Sequence, residues 1–220
     1  IAEGSFTHFA RADEADGEAR TREQAERYFA LLGRARTLGA NLSVRHICNS
    51  AASLRFPEYH LDICRLGVLL YGAEPSGMFD FGVRPVMRLC AKLSQVHTLR
   101  AGEQLSYGGT FTAKTDMRIA TLPIGYADGF IRAYSGARAV LRAADGKMLG
   151  DARVIGRICM DQCMIDLGDI DAHTGDTAVL IGEPGQLDAL AALAGTINYE
   201  CLCLISARVP RLVRDPGAAF

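Results

Sequence analysis

Residues 156–166 read GRICMDQCMID and bring two thiols, two thioethers and two carboxylates into eleven positions. Sulfur ligands at that density raise the question of a copper or zinc site. In a helix, Cys159 and Cys163 would be i,i+4 neighbours roughly 6 Å apart and could share an ion. In a strand, a rise of ~3.3 Å per residue sets them about 13 Å apart on one face, too far for any single metal. The neighbouring segments read as strand, which predicts strand throughout, with Cys159, Asp161, Cys163 and Ile165 facing one way and Ile158, Met160, Gln162 and Met164 the other. The shared metal then fails on distance, and the thiols become small buried hydrophobes. The seven cysteines contain no C-x-x-C and the five histidines no H-x-x-x-H. That pattern fits reduced thiols and predicts neither a disulfide framework nor a metal centre.

Other residues could do acid–base or phosphate chemistry. His8 follows GSFT, His46-Ile47-Cys48-Asn49-Ser50 ends a second apolar run, and Arg65-Leu66-Gly67-Val68 lies in a third. In β/α barrels the C-terminal strand ends carry the active site, and phosphates bind where the last loops meet a helix N-terminus. Ser50 at such a terminus, with Gly67 admitting close backbone approach, would suit a phosphate. Equally, Ser50 could simply cap a helix and Gly67 turn a loop, and spacing alone leaves both open. In PIGYADGF, Tyr126 sits at a turn after an apolar run. A turn tyrosine often just packs its ring and wets its hydroxyl. A tyrosine acting as a base must ionise about three units below its reference pKa of about 10, which is ~4 kcal/mol, roughly what one cation at 4 Å supplies at an effective dielectric near 20. Such a base needs a cationic neighbourhood, for which His8 and Arg65 are the candidates.

The elements that must position these groups fall into two kinds. Over residues 1–72, GSFTHFA reads as a strand, and TREQAERYFALLGRARTLG as a helix opening on Thr21 and Gln24 in capping-box spacing. That helix sets Ala25, Tyr28, Phe29, Leu32 and Ala35 on one face and stops at Gly39. NLSVRHIC gives a second strand, Ser50 caps a short helix through AASLRF, and HLDICRLGVLLYG holds a third strand. Strand, helix, strand, helix, strand predicts βαβ units and a parallel sheet. From about residue 80 the segments VMRLCAKLSQV, MRIATLPIGY, ARAVLRA, ARVIGRICMDQCMID and TAVLIG are short, β-branched and separated by turn signals. They predict an antiparallel β domain, interrupted by a helix at LDALAALAG, while INYECLCLI fits strand and helix equally.

The balance of 49% hydrophobic and 22% charged residues is that of a globular protein of one large or two modest domains. A net charge of −1 with no polybasic run argues against nucleic acid or a membrane surface as partner. Apolar runs such as GVLLYG are too short to span a bilayer, which makes a cytoplasmic location the default.

Taken together, FTHFA, HICNSAASLR, RLGVLLYG, SYGGTF, PIGYADG, GRICMDQCMID, INYE and RVPR resemble the pyridoxal-phosphate-dependent alanine racemases, in that family's order and over nearly the whole chain. The resemblance implies an α/β plus all-β fold: the last part of a TIM-type β/α barrel that binds pyridoxal 5'-phosphate over residues 1–76, then a C-terminal antiparallel β domain over 77–220. It implies a homodimer with shared active sites that interconverts L- and D-alanine, supplying D-alanine for peptidoglycan. Residue by residue, Tyr126 matches the base for the α-proton of L-alanine. Arg65 matches the arginine at the pyridine nitrogen, and its permanent charge would leave that nitrogen unprotonated and limit side reactions. His8 and His46 match a hydrogen-bond network between tyrosine and arginine, and Ser50, Gly67, Val68 and Tyr199 match phosphate contacts. Met160 matches the backbone N–H at the substrate carboxylate, and Arg157, Asp161, Asp13 and Ile197 match positions lining the pocket or its entrance.

One departure is large. The family's Schiff-base lysine lies in a motif upstream of Ile1, and Lys92, Lys114 and Lys147 all fall in the β domain. The chain opens in mid-pattern without methionine and matches about the last three of eight barrel units, which cannot close a barrel. The expectation is a C-terminal portion, inactive alone without its lysine-bearing half. Competing readings are a racemase of broader specificity acting on serine and a non-catalytic β-domain dimerisation or binding module.

Overall fold

In the computed structural model, residues 3–213 are described, and the chain divides into two units, Ile1–Val86 and Met87–Phe220. In the first, β1 (Gly4–Phe6) and β2 (Val44–His46) pair in parallel, with Phe6 opposite His46. The strands lie so close that a Cβ on Gly4 would fall 2.4 Å from the Val44 carbonyl oxygen. Between them runs α1 (Glu18–Thr37), which buries Thr21, Ala25, Tyr28 and Leu32 along one stripe. Phe29 is partly exposed and Ala35 only half-buried, so the stripe is narrower than the sequence predicts. The Tyr28 hydroxyl, 2.7 Å from Ser5 Oγ and 3.0 Å from the Ser5 carbonyl oxygen, pins the helix to β1.

Three sequence expectations need correction here. Thr21 does not open α1: the helix starts three residues earlier, and the Thr21 hydroxyl donates back to the Gly17 carbonyl. Its supposed capping partner Gln24 instead donates to Thr7 Oγ1 and the His8 carbonyl and accepts from the Ala10 N–H, so it braces the segment carrying His8. Ser50 is not the cap of α2 (Ser50–Arg55); Asn49 is, its side chain accepting from the Ala52 N–H at 2.9 Å. The third strand does not form. Two backbone bonds, Asp62 N–H to Arg45 and Arg65 N–H to Cys48, lay that segment along β2, too few for a ladder, and short 3₁₀ turns at Pro57–Tyr59 and Val68–Tyr71 flank it.

The second unit contains a seven-stranded antiparallel sheet. Its strands are β3 (Leu89–Lys92), β4 (Gln95–Leu99), β7 (Met117–Leu122), β8 (Arg138–Arg142), β9 (Met148–Ile155), β10 (Cys163–Asp166) and β11 (Thr177–Ile181), in the order β3-β11-β8-β9-β10-β7-β4. A small hairpin joins β5 (Gln104–Leu105) to β6 (Phe111–Thr112). Leu122, Phe130, Leu141, Ile158, Ile165 and Leu180 form one apolar core with residues of α3 (Gln186–Ala194) and α4 (Asn198–Cys203). INYECLCLI thus resolves as helix, burying Asn198 and Cys201 three positions apart.

Strand does not run through GRICMDQCMID. β9 ends at Ile155, Gly156 adopts φ +65°, and only Cys163–Asp166 rejoins the sheet. The intervening backbone bonds elsewhere: Cys159 N–H to the Gln162 carbonyl, and the Cys159 and Met160 carbonyls to the N–H groups of Tyr126 and Ala127. Cys159 therefore lies outside the ladder, and strand rise does not set its distance from Cys163. Among the described residues, no group of three or more His, Cys, Asp or Glu could hold a metal ion, and no helix is long and apolar enough to cross a membrane.

Candidate active site

In the first unit the site is built around Arg65. Its Nη1 donates to His46 Nδ1 at 2.7 Å and to the His46 carbonyl at 3.0 Å. Its Nη2 donates to the Thr7 carbonyl at 3.0 Å and faces His8 Nδ1 at 3.4 Å. One guanidinium thus gathers the ends of β1 and β2, and both histidines converge on it. Phe6 stacks flat on the His46 ring, with centroids 5.3 Å apart, and Arg65 lies over the other ring of that pair, 5.6 Å from the Phe6 centroid. Asn49, besides capping α2, donates to the Phe9 carbonyl and faces His8 Nε2 at 3.4 Å. Four Nη hydrogens face four acceptors, while the Nε–H has no partner among the described residues.

The Ser50 side chain is buried and accepts the Gly67 N–H at 2.8 Å. A Cβ on Gly67 would sit 3.7 Å from the Ser50 oxygen, facing the same small space. Val68 is buried and opens the turn that follows. With the Gly67 N–H spent on the serine oxygen, the Ser50 hydroxyl proton and the Val68 N–H at the start of the turn are the donors this cradle offers an anion.

In the second unit Tyr126 opens a 3₁₀ turn, Tyr126–Asp128, and is 41% exposed. The turn abuts the Met160 loop. Tyr126 N–H meets the Cys159 carbonyl and Ala127 N–H the Met160 carbonyl, each at 3.0 Å. Asp128 closes the turn by accepting the Gly125 N–H at 2.9 Å. Met160 is exposed, and Arg157 is held by its own N–H to Ser106 Oγ at 2.8 Å. Asp161 pairs with Arg208 at 2.7 Å. Tyr199 lies half-buried in the first turn of α4, two positions after exposed Ile197. Asp13 lies in a turn of the first unit.

The structure thus brings together Arg65, His46 and His8; Ser50, Gly67 and Val68; and Tyr126, Met160 and Asp161. The partners of Gln24 and Asn49, and the supporting roles of Ser106, Asp128 and Arg208, escape sequence reasoning. Asp128 could have been found, three positions after Gly125 in a turn. Arg208 could not, being 80 residues from Asp128.

The family model for the alanine racemase N-terminal domain matches residues 1–75, and that for the alanine racemase C-terminal domain matches residues 86–213. The chain belongs to the alanine racemase family. It is 44% identical over 215 residues to an alanine racemase of Desulfovibrio desulfuricans, covering 96% of this chain and 56% of that protein. It is 40% identical over 225 residues to alanine racemase 1 of Clostridium acetobutylicum, covering 99% and 57%. Among solved structures, the alanine racemase of Clostridium difficile 630 in complex with cycloserine superposes with a TM-score of 0.85 at 39% identity, over 94% of this chain and 55% of that one. The Bacillus anthracis enzyme with bound L-Ala-P gives 0.86 at 34% identity, over 99% and 56%. The fold is that of the alanine racemases, a barrel-derived unit followed by a β domain, and the chain spans about half the length of the curated relatives it matches.

Proposed function

We propose that this chain supplies the arginine, phosphate and tyrosine parts of a pyridoxal 5'-phosphate-dependent alanine racemase, with 1–76 as its share of the barrel and 77–220 as the β domain. The observation that carries this reading is Arg65, whose four Nη hydrogens face protein acceptors while its Nε–H is left for one more. A pyridine nitrogen is such an acceptor, and the Ser50–Gly67 cradle matches the cofactor's phosphate, so the residues fit the group. When bound, the cofactor supplies an electron-withdrawing ring that acidifies the α-hydrogen of an amino acid.

The protein's own groups do the rest. Arg65 stays protonated and fixes the ring nitrogen as an acceptor. His8 and His46 orient Arg65. Ser50, Gly67, Val68 and Tyr199 hold the phosphate. The Met160 N–H orients the substrate carboxylate, and Arg157 and Asp161 line the pocket or its entrance. Tyr126 takes the α-proton from L-alanine and returns one to the same face. Lys92, Lys114 and Lys147 all fall in the second unit, and residues 1–86 hold no lysine. The enzyme works as a cytoplasmic homodimer with shared sites and provides D-alanine for peptidoglycan.

The two enantiomers have equal free energies, so any loss of kcat/KM must be equal in both directions, and the signature of one base lies in proton exchange. In the lysine-bearing, cofactor-loaded enzyme, Tyr126→Phe should abolish exchange of the α-proton of L-alanine with solvent deuterium while D-alanine still exchanges. Retention of L-alanine exchange would overturn the assignment.

A further inference from the structure

Arg208 lies outside the groups assigned above, yet it touches both segments that carry them. Its Nε meets Asp128 Oδ1 at 2.8 Å, and its Nη2 meets Asp161 Oδ1 at 2.7 Å. Asp128 is buried, and its other oxygen holds the Gly125 N–H. Asp161 is exposed and directly follows Met160. The arginine therefore bridges the Tyr126–Asp128 turn and the Met160 loop, which two backbone bonds already join at Tyr126 and Ala127. Its own segment is anchored to the same turn: Ser206 N–H bonds the Asp128 carbonyl at 3.0 Å, and a Cβ on Gly129 would fall 2.1 Å from the Leu204 carbonyl oxygen.

We propose that Arg208 is a positioning residue for Tyr126, a two-armed clamp that sets the tyrosine turn against the Met160 loop. This rests on the reading of Tyr126 as the L-alanine base. The planar fork suits the task, because two carboxylates on different segments must be held at once and at fixed angles, which a lysine's single ammonium cannot do. Arg208 acts through Asp128, two residues from Tyr126, and through Asp161, next to Met160. A shift of about 1 Å in a reacting group costs on the order of 10²-fold in rate, so slack at this bridge is read out at the base.

The test compares α-proton exchange from saturating L-alanine and saturating D-alanine in the cofactor-loaded enzyme. In Arg208→Gln the L-to-D exchange ratio should fall at least about tenfold, and Arg208→Lys should recover part of that loss. A brace with a merely structural role lowers both exchange rates together with the folded fraction; an unchanged ratio in folded Arg208→Gln overturns the proposal. Tyr126→Phe is run alongside: if it retains L-alanine exchange, the base assignment itself has failed, whereas loss there with an unchanged Arg208→Gln ratio sinks only the clamp. If Arg208→Gln does not fold, the double variant Asp128→Asn/Arg208→Gln removes the buried charge as well and must show the same selective loss.

Discussion

Arg65 Nη1 stands 2.7 Å from His46 Nδ1. A guanidinium has five donors and no acceptor, so the imidazole must be the acceptor and carry its proton on Nε2. The tautomer of His46 is thereby dictated by its partner, and the flat contact with Phe6 holds the ring in plane. Arg65 in turn is fixed by four acceptors, two on His46 at the end of β2 and two on Thr7 and His8 just past β1.

Arg65→Lys replaces that fork by a point charge that cannot satisfy all four acceptors and cannot keep a further N–H in place. Turnover of the cofactor-loaded enzyme should fall by about 10²-fold or more, with the protein still folded. Steady-state kinetics beside a thermal melt checks this, together with the ¹⁵N shift of His46 Nδ1, which should move when its donor is lost. Wild-type turnover in the lysine variant would show that the fork geometry is immaterial.

Gly125 has an extended backbone, so its need for glycine is steric. A Cβ there would lie 2.3 Å from the Cys159 carbonyl oxygen and 2.4 Å from that of Met160. Gly125→Ala must push the Met160 loop away from the tyrosine turn, with a stability cost of about 1–3 kcal/mol and a larger proportional loss of turnover. Gly33 is the control: it lies inside α1 with nothing within 4 Å of its Cβ position, and Gly33→Ala should stabilise by about 0.5–1 kcal/mol. Denaturant midpoints of the two variants should move in opposite directions; a shift of the same sign in both would refute the steric account.

Where local periodicity and packing agreed, the sequence was a good guide. The α1 stripe, its stop at Gly39 and the sheet strands of the second unit follow from apolar spacing and turn residues. Three of the misreadings share a cause: a polar group found a distant partner that no local pattern reveals. Gln24 has the spacing of a capping box but bonds Thr7 and His8; Ser50 has the look of a cap but faces Gly67. GRICMDQCMID alternates like a strand, yet its carbonyls serve the Tyr126 turn, more than 30 residues earlier in the chain. The Arg65 cluster was legible as separate strand-end residues, whereas the clamp through Arg208 required the fold.

Cys163 is the most deeply buried sulfur of that stretch. It is fully buried in β10, and burial first, then the neighbouring Cys159, pushes its thiol up to about 12. A folded-state value above the unfolded one, about 8.5, means that the native state prefers the neutral thiol. This stabilisation is complete below about pH 8.5 and is lost as pH rises towards 12, because only the unfolded chain ionises its thiol there. Native Cys163 should therefore resist a thiol-reactive disulfide reagent while exposed Cys203 reacts, and should react only on unfolding. Cys163→Ser sets a hydroxyl among apolar neighbours and should cost about 1–3 kcal/mol, whereas Cys163→Ala loses only packing and should leave the alkaline slope of stability shallower than in the parent. Peptide mapping after brief native labelling checks the first outcome and denaturation across alkaline pH the second; modification of Cys163 at the rate of Cys203 would mean that burial does not hold this thiol neutral.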